Sequence, residues 1–215
     1  MNGDTLSHGL WETTAAPEPA TAKLVGERRV EVAIVGAGYT GLSAALRLAK
    51  AGVAVAVIEA TAIGFGGSGR NVGLVNAGLW LHPEELPKRL GEVHGRRVLD
   101  LLGGAPAEVF ALVAEHGIDC EATPVGTLHC AVGASGLADL AERERQWKAQ
   151  GAPVRLLDAR EAAAKVGSTA YAGALLDERA GTIQPLSYAR GLARAALAAG
   201  AGIFTGSPVT ETREE

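Results

Sequence analysis

Val30-Glu31-Val32-Ala33-Ile34-Val35-Gly36-Ala37-Gly38-Tyr39-Thr40-Gly41 decides the fold class of this chain of 215 residues. Val30 to Val35 reads as a buried parallel strand: short, β-branched and ended by glycine. From Tyr39 to Ala51 the positions Leu42, Ala45, Leu46 and Ala49 fall on one helical face, and Gly52 reads as the stop. Val53 to Ile58 is a second strand, closed by Glu59. Strand, helix and strand within about 30 residues imply a right-handed crossover and a parallel sheet.

Gly36, Gly38 and Gly41 form the pattern G-x-G-x-x-G. With 29 glycines in the chain, about 0.5 such matches arise by chance, so the bare pattern is weak. Gly64, Gly66 and Gly69 match it too, as an internal decoy. Context separates them, because only the first match follows a strand and opens an amphipathic helix. Gly36 permits the tight turn, Gly38 lets the backbone approach a pyrophosphate, and Gly41 lets helix pack on strand. The phosphates then sit on free N–H groups at the helix start, among Gly38, Tyr39, Thr40 and Gly41. Glu59, 18 residues past Gly41, ends the second strand where a carboxylate accepts both ribose hydroxyls. A carboxylate there repels a 2′-phosphate, which argues against NADP. The expectation is an adenine dinucleotide, and the fingerprint is shared by NAD and FAD.

Outward from this unit the texture changes. Gly64, Gly66, Gly67, Gly69, Gly73 and Gly78 crowd a stretch that also holds Ser68, Arg70 and Asn71, so 61–78 reads as a loop whose backbone approaches something. Such a second loop suits a cofactor with a long extended path, which favours FAD. His82-Pro83-Glu84-Glu85 opens a helical pattern to about His116, broken near Gly103-Gly104. Short strands follow at 119–123 and 127–132, then a helix over 136–150 and a strand over 154–157. Asp158 reads as the cap of a helix over 159–166, with a further strand at 171–176. Pro185 then opens a helix ended by Gly200, followed by strands at 203–205 and 209–212. The expected organisation is an N-terminal arm (1–29), the first part of a nucleotide-binding domain (30–82), a helical linker with an inserted α+β block (83–184), and a return segment (185–215). Ending at Glu215 leaves this sheet with few strands, so the sequence reads as the N-terminal portion of a longer protein.

Composition excludes several classes. The chain is 47% hydrophobic and 20% charged, with net charge −4, as a soluble globular protein would be. An acidic balance offers no footprint for nucleic acid. No apolar run approaches the 18 or so residues of a membrane span. Two cysteines, Cys120 and Cys130, make no disulfide scaffold, no Cys/His spacing suits a metal, and a reducing cytoplasm is the expected location. His8, His82, His94, His116 and His129 lack carboxylates at useful spacing. Glu142-Arg143-Glu144-Arg145 reads as a solvated helix face, Gln184 as a cap or turn residue, and Trp11 as an anchor docking the arm.

The runs VAIVGAGYTGLSAALRLAKAG, VIEA and IGFGGSGRNVG resemble the FAD-dependent amine and amino-acid oxidoreductases of the D-amino-acid oxidase/glycine oxidase superfamily, nearest its gamma-glutamylputrescine oxidase-like branch. SHGLWETTAAPEP, HGIDCEATPVGTLHCAV and LLDERAGTIQPLSYARGLARAALAAGAGIFTGSPVTE extend the resemblance over nearly the whole chain. It implies a three-layer Rossmann-like FAD-binding domain with a parallel sheet and an inserted α+β substrate domain, apparently truncated. Gly36, Gly38 and Gly41 would hold the pyrophosphate, and Glu59, followed by Ala60, the ribose. Gly67, Ser68, Gly69, Arg70 and Asn71 would line the flavin side, and Val209 would present its backbone to adenine. Where the branch usually reads Gly-Gly after the asparagine, this chain has Val72-Gly73. The implied reaction is oxidation of the C–N bond of a small amine or amino acid by hydride transfer to FAD, followed by hydrolysis of the imine. No catalytic acid or base can be named. The competing readings are an NAD-dependent dehydrogenase and a non-catalytic dinucleotide-binding fragment.

Overall fold

Residues 9–214 are described by a computed structural model. Residues 1–8 of the expected arm, with His8, and the terminal Glu215 lie outside the described residues. Internal contacts divide the chain into two units, one of Met1–Gly73, Leu112–Glu121 and Ile183–Glu215, the other of Leu74–Ala111 and Ala122–Thr182.

In the first unit, β1 (Val32–Val35) pairs in parallel with β2 (Val55–Ile58), from Val32↔Val55 to Val35↔Ile58. β2 pairs in parallel with β8 (Gly202–Phe204), giving the order β1-β2-β8. The helices α2 (Tyr39–Lys50) and α7 (Pro185–Ala198) pack on one another and on these strands. Leu42, Ala45 and Leu46 of the first meet a seam built from Leu186, Ala189, Leu192, Ala193 and Ala196 of the second, all buried. The sheet and one helix layer lie among the described residues; the second helix layer of the expected three does not. β1 also departs from the buried strand expected of it. Its residues alternate half-buried and exposed, with Val35 67% exposed, because β2 is its one neighbour in the sheet among the described residues.

The arm docks through α1 (Leu10–Thr14). Trp11 Nε1 donates to Asn71 O at 2.9 Å, and the buried Arg190 donates to Ala16 O at 3.0 Å and to Glu12 Oε1 at 2.7 Å. Gln184 caps α7, its Oε1 accepting from Ser187 N–H at 2.7 Å while Nε2 donates to Trp11 O at 2.9 Å. The expected strand at 209–212 is absent. After β8 the chain turns at Gly206 and Ser207, whose N–H groups donate to Thr61 O and Glu59 O, and no strand stands beside 209–212 to pair with it among the described residues.

The second unit is built on an antiparallel sheet of β4 (Thr127–Ala131), β6 (Gly173–Asp177) and β5 (Val154–Asp158), in that order. Against it pack α5 (Gly133–Ala149) and α6 (Ala159–Val166). The start of α6 is fixed locally: Asp158 Oδ1 accepts from Glu161 N–H at 2.8 Å, and Glu161 Oε2 accepts from Asp158 N–H at 3.2 Å. A two-residue ladder joins β3 (Leu74–Val75) to β7 (Gly181–Thr182). Residues 119–123 form no strand, and Thr123 makes an isolated antiparallel bridge to Thr182. Leu86, Leu99, Leu140, Trp147, Val154 and Leu175 make the core.

The helical stretch before β4 breaks elsewhere than expected. Gly91, at φ 78°, separates α3 (Glu85–Leu90) from α4 (Glu92–His116), and α4 continues through Gly103-Gly104. Pro106 inside α4 has no N–H to give Leu102 O, and Gly78 N–H bonds that carbonyl instead at 3.2 Å. The last residues of α4 and the turn after it belong to the first unit, where Ile118 lies against Gly191 of α7. A Cβ at Gly191 would overlap the Ile118 side chain. Gly191→Ala should therefore destabilise the first unit by about 1–3 kcal/mol despite its better helix propensity. Urea unfolding followed by circular dichroism measures this, and an unchanged or raised midpoint would mean that Ile118 does not pack there.

Candidate functional site

The site in the first unit grows from the junction of β1 and α2. Gly36, at φ 100°, turns the chain, and its N–H donates to Ile58 O at 2.8 Å. Ala37 N–H donates to Glu59 Oε2 at 2.8 Å, while Glu59 Oε1 accepts from Thr61 N–H at 2.9 Å and from its hydroxyl at 3.1 Å. The carboxylate that ends β2 thus reaches into the glycine turn. At Gly41 a Cβ would overlap the carbonyl oxygen of Gly36 and crowd Ile34, so only glycine allows α2 to start this close to β1.

The N-terminus of α2 is open. Gly38 provides no side-chain cap, and Leu42 N–H is the first to bond back, to Gly38 O at 3.0 Å. Tyr39 N–H is taken by Ser68 Oγ at 3.0 Å. The N–H groups of Gly38, Thr40 and Gly41 have no hydrogen-bond partner among the described residues. Aligned peptide dipoles make such an end favourable for an anion.

The glycine-rich loop folds beside this end. A single 3-10 turn spans Gly67–Gly69, and Gly69 N–H donates to Gly64 O at 2.8 Å. A Cβ at Gly38 would come within 2.9 Å of Ser68 Oγ, which shows how closely loop and turn approach. Asn71 ties the loop to itself. Its amide donates to Gly67 O, Ser68 O and Tyr39 Oη, and its carbonyl accepts from Gly73 N–H at 2.8 Å. Arg70 is exposed, with its guanidinium 4.3 Å from the centre of the Phe65 ring. Ala60 and Thr40 are exposed beside Glu59 and Tyr39 respectively, and Val209 is 39% exposed two residues beyond Ser207. The structure therefore brings Gly36, Gly38, Tyr39, Thr40, Gly41, Glu59 and Ser68 together around the turn. It gives the Asn71 side chain a role within the loop.

Residues 31–215 match the family described as DAO, FAD dependent oxidoreductase. The chain belongs to this family. It is 35% identical over 202 residues to the probable oxidoreductase OrdL of Rhizobium meliloti, covering 93% of this chain and 47% of that protein. It is 37% identical over 182 residues to gamma-glutamylputrescine oxidoreductase of Escherichia coli, covering 84% and 42% respectively. The chain thus spans about half the length of these relatives. Glycine oxidase from Geobacillus kaustophilus superposes with a TM-score of 0.67 at 28% identity, over 84% of this chain and 47% of that one. L-amino acid deaminase from Proteus myxofaciens shares the fold, with a TM-score of 0.72 at 19% identity over 89% of this chain and 41% of that one. These likenesses bear out the Rossmann-like fold and the oxidoreductase family expected from the sequence.

Other candidates fare differently. His82, expected to lack a carboxylate, has Asp139 at 2.8 Å from its Nε2, and this bond holds the Asp139 carboxyl below the usual range. The pair was hidden because its members lie 57 residues apart. The run 142–145 is not one solvated face: Glu142 and Arg145 pair at 2.6 Å on the surface, whereas Arg143 is buried. Its signal was its spacing from Leu140 and Trp147 on the buried stripe of α5. Among the described residues no helix is long and apolar enough to cross a membrane.

Burial raises Tyr39 to a pKa of about 12, against a lowering hydrogen bond from Asn71. Tyr188, ring to ring with it at 5.2 Å, is likewise pushed up by burial to about 12. Both values exceed the ordinary tyrosine value of about 10, so the stability they reflect is full below pH 10 and lost as pH rises toward 12. At pH 11 each tyrosine should cost the fold about 1 kcal/mol relative to pH 8. Urea unfolding at the two pH values, in parent and Tyr188→Phe proteins, tests this: the variant should lose less stability on going to pH 11, and equal losses would contradict the burial argument.

Proposed function

We propose that this chain forms the nucleotide-holding part and the beginning of the substrate domain of an FAD-dependent enzyme oxidising the C–N bond of a small amine or amino acid. The observation that carries this reading is the pairing of the open α2 N-terminus with a carboxylate in the same turn. Free N–H groups of Gly38, Thr40 and Gly41 fit a pyrophosphate, and an acid at the end of the second strand fits a ribose diol. Glu59 Oε2, with one bond, keeps lone-pair capacity for a hydroxyl donor, while Oε1 already accepts twice from Thr61. A Cβ placed on Gly36 or Gly67 would meet nothing within 4 Å, so the turn and the loop leave open space beside them. The residues present fit the cofactor of the family.

In this reading Gly36 sets the turn, and the α2 N-terminus with Gly38, Tyr39, Thr40 and Gly41 holds the pyrophosphate. Glu59 orients the ribose beside Ala60. Gly67, Ser68, Gly69, Arg70 and Asn71 border the flavin side, Asn71 by fixing the loop's shape, and the backbone at Val209 meets adenine. Bound FAD supplies the two-electron acceptor. The substrate class is supported by relatives named for an amine and an amino acid, gamma-glutamylputrescine oxidoreductase and glycine oxidase. A reducing cytoplasm suits the free thiols of Cys120 and Cys130.

Two variants test the assignment by FAD titration, with circular dichroism confirming the fold. Glu59→Ala should weaken FAD binding by about 1.5–3 kcal/mol, the range for hydrogen bonds to a charged group. Gly38→Asp should abolish it, since its carboxylate would stand in the phosphate path and its Cβ would press on Ser68 Oγ at 2.9 Å. Parental affinity in either variant would move the cofactor site elsewhere. Peroxide release or dye reduction with a panel of amines and amino acids then tests the reaction class.

A further inference from the structure

No residue of α1 is buried, yet the arm it belongs to is bonded along its length to segments that border the candidate cofactor site. α1 is seated on the start of α7. Gln184 Nε2 donates to Trp11 O at 2.9 Å, Ala16 N–H donates to Ser187 Oγ at 3.0 Å, and Arg190 donates to Glu12 Oε1 at 2.7 Å. From this seat Trp11 Nε1 donates to Asn71 O at 2.9 Å, where the glycine-rich loop ends. Farther along the arm, Glu18 Oε1 accepts from Ile63 N–H at 3.1 Å, where the loop begins. The arm then runs beside β8. Ala22 is bridged in parallel to Phe204, and Leu24 N–H donates to Ser207 Oγ at 2.8 Å, two residues before Val209.

Between these two anchors lie Gly64-Phe65-Gly66-Gly67-Ser68-Gly69-Arg70. Four glycines in seven residues make this segment costly to order, because glycine loses the most backbone freedom when it is fixed. At the loop's tip, packing offsets little of that cost: a Cβ on Gly66 or Gly67 would meet nothing within 4 Å. Bonds inside the loop, from Gly69 N–H to Gly64 O and from Asn71 N–H to Gly67 O, set its shape but not its place. On the α2 side its place is set by Gly64 N–H on Ala37 O at 2.9 Å, Tyr39 N–H on Ser68 Oγ at 3.0 Å and Asn71 Nδ2 on Tyr39 Oη at 3.2 Å. On the other side the arm takes one bond at each end of the loop. The Glu18 bond has a charged acceptor and is the stronger kind; the Trp11 bond is neutral, from a half-buried indole.

We infer that the N-terminal arm is a clamp on the flavin side of the cofactor cradle, with Trp11 and Glu18 as positioning residues that hold the two ends of the glycine-rich loop against α2. Each acts through a backbone group of the loop, Asn71 O and Ile63 N–H, and neither has to touch a ligand. The identity of the ligand rests on the dinucleotide reading given above; the clamp itself is a property of the ligand-free chain. Loosening either anchor lets the loop leave Tyr39 while the turn at Gly36 and the Glu59 carboxylate keep their own bonds to Ile58, Ala37 and Thr61. The adenosine side of the cradle is therefore held independently of Trp11.

Hydrogen exchange on the ligand-free full chain reads the clamp directly, at the amides of Gly69, Asn71 and Gly73, each bonded within the loop. Trp11→Phe removes the indole donor, while Gln184 still bonds the backbone at Trp11 and Arg190 still bonds Glu12. The loop amides should then exchange about threefold faster or more, and about tenfold or more in Glu18→Ala. Glu18→Gln, whose amide oxygen can accept the same bond, should follow the parent. The β2 amides should stay unchanged in all three. Acceleration that includes β2, or none in the loop, would overturn the inference. Titration with FAD and with ADP, which lacks the flavin side, then separates positioning from general support of the fold. Trp11→Phe should weaken FAD about fivefold and leave ADP within about twofold. Equal weakening of both, or parental affinity for FAD, would overturn the positioning role. If Trp11→Phe fails to fold, the exposed Glu18 and its two variants decide the matter by exchange. A parent chain that binds neither FAD nor ADP would overturn the cofactor reading instead, and the exchange result would still decide whether the arm holds the loop.

Discussion

The bond from Ala37 N–H to Glu59 Oε2, at 2.8 Å, links the ends of two parallel strands that are 22 residues apart in sequence. It fixes where the glycine turn sits relative to the end of β2, and with it the position of the open α2 N-terminus. A hydrogen bond to a charged acceptor is worth about 1.5–3 kcal/mol, a large share for a turn whose one packed side chain is the buried Ala37 methyl. The geometry around it follows. Gly41 must lack a Cβ so that α2 can begin against β1, and α2 must sit there for its seam with α7 to close over Leu42 and Leu46. The carboxylate therefore has one structural task already, and in the proposed function it has a second on the same group. Removing it acts on the turn and on the ribose together.

The glycine-rich loop shows a similar economy. Its density of glycine reads as a place where backbone approaches a ligand, and the structure adds that the loop also approaches itself. Asn71 spends its amide and its carbonyl on neighbours within the loop and on Tyr39 Oη, while Trp11 from the arm bonds the Asn71 carbonyl oxygen. Ser68 completes the set by taking Tyr39 N–H, one of the donors at the helix end. What the loop offers a cofactor is consequently shape and backbone, with Asn71 acting through the positions it holds. The arm belongs to the same network, because Gln184 reaches Trp11 O from the cap of α7.

What could be read in the sequence was what local spacing decides. Gly36, Gly38, Gly41 and Glu59 follow from one strand-turn-helix-strand unit, and the Asp158 cap of α6 from one turn of chain. Pro185 and Gln184 opened α7 as expected. The misreadings concern properties fixed by distant chain. β1 has the composition of a buried strand, yet burial depends on neighbours that the strand itself does not encode. The pair Gly103-Gly104 looked like a break, while the break fell at Gly91, where the backbone takes a positive φ. Nothing near Pro106 announces that Gly78 will take the carbonyl it frees. Val209 was given a strand by its β-branched surroundings and found none to pair with. His82 and Asp139 met across 57 residues.

Two buried arginines make the same point about charge. Arg190 in the first unit and Arg143 in the second are 6% and 7% exposed, and each sits on a helix within a polar-looking sequence. Arg190 binds Glu12 Oε1 at 2.7 Å and the carbonyl of Ala16, so its charge is answered and its task is to fasten the arm. Arg143 meets carbonyls alone, at Trp80 and Leu81, beside a cavity with apolar walls. The guanidinium reaches both carbonyls through two separate nitrogens, and the Asp139 carboxylate lies within its electrostatic reach. Arg190 thus fastens the arm through a direct ion pair, whereas Arg143 holds the 80–81 backbone and meets the Asp139 carboxylate only through space.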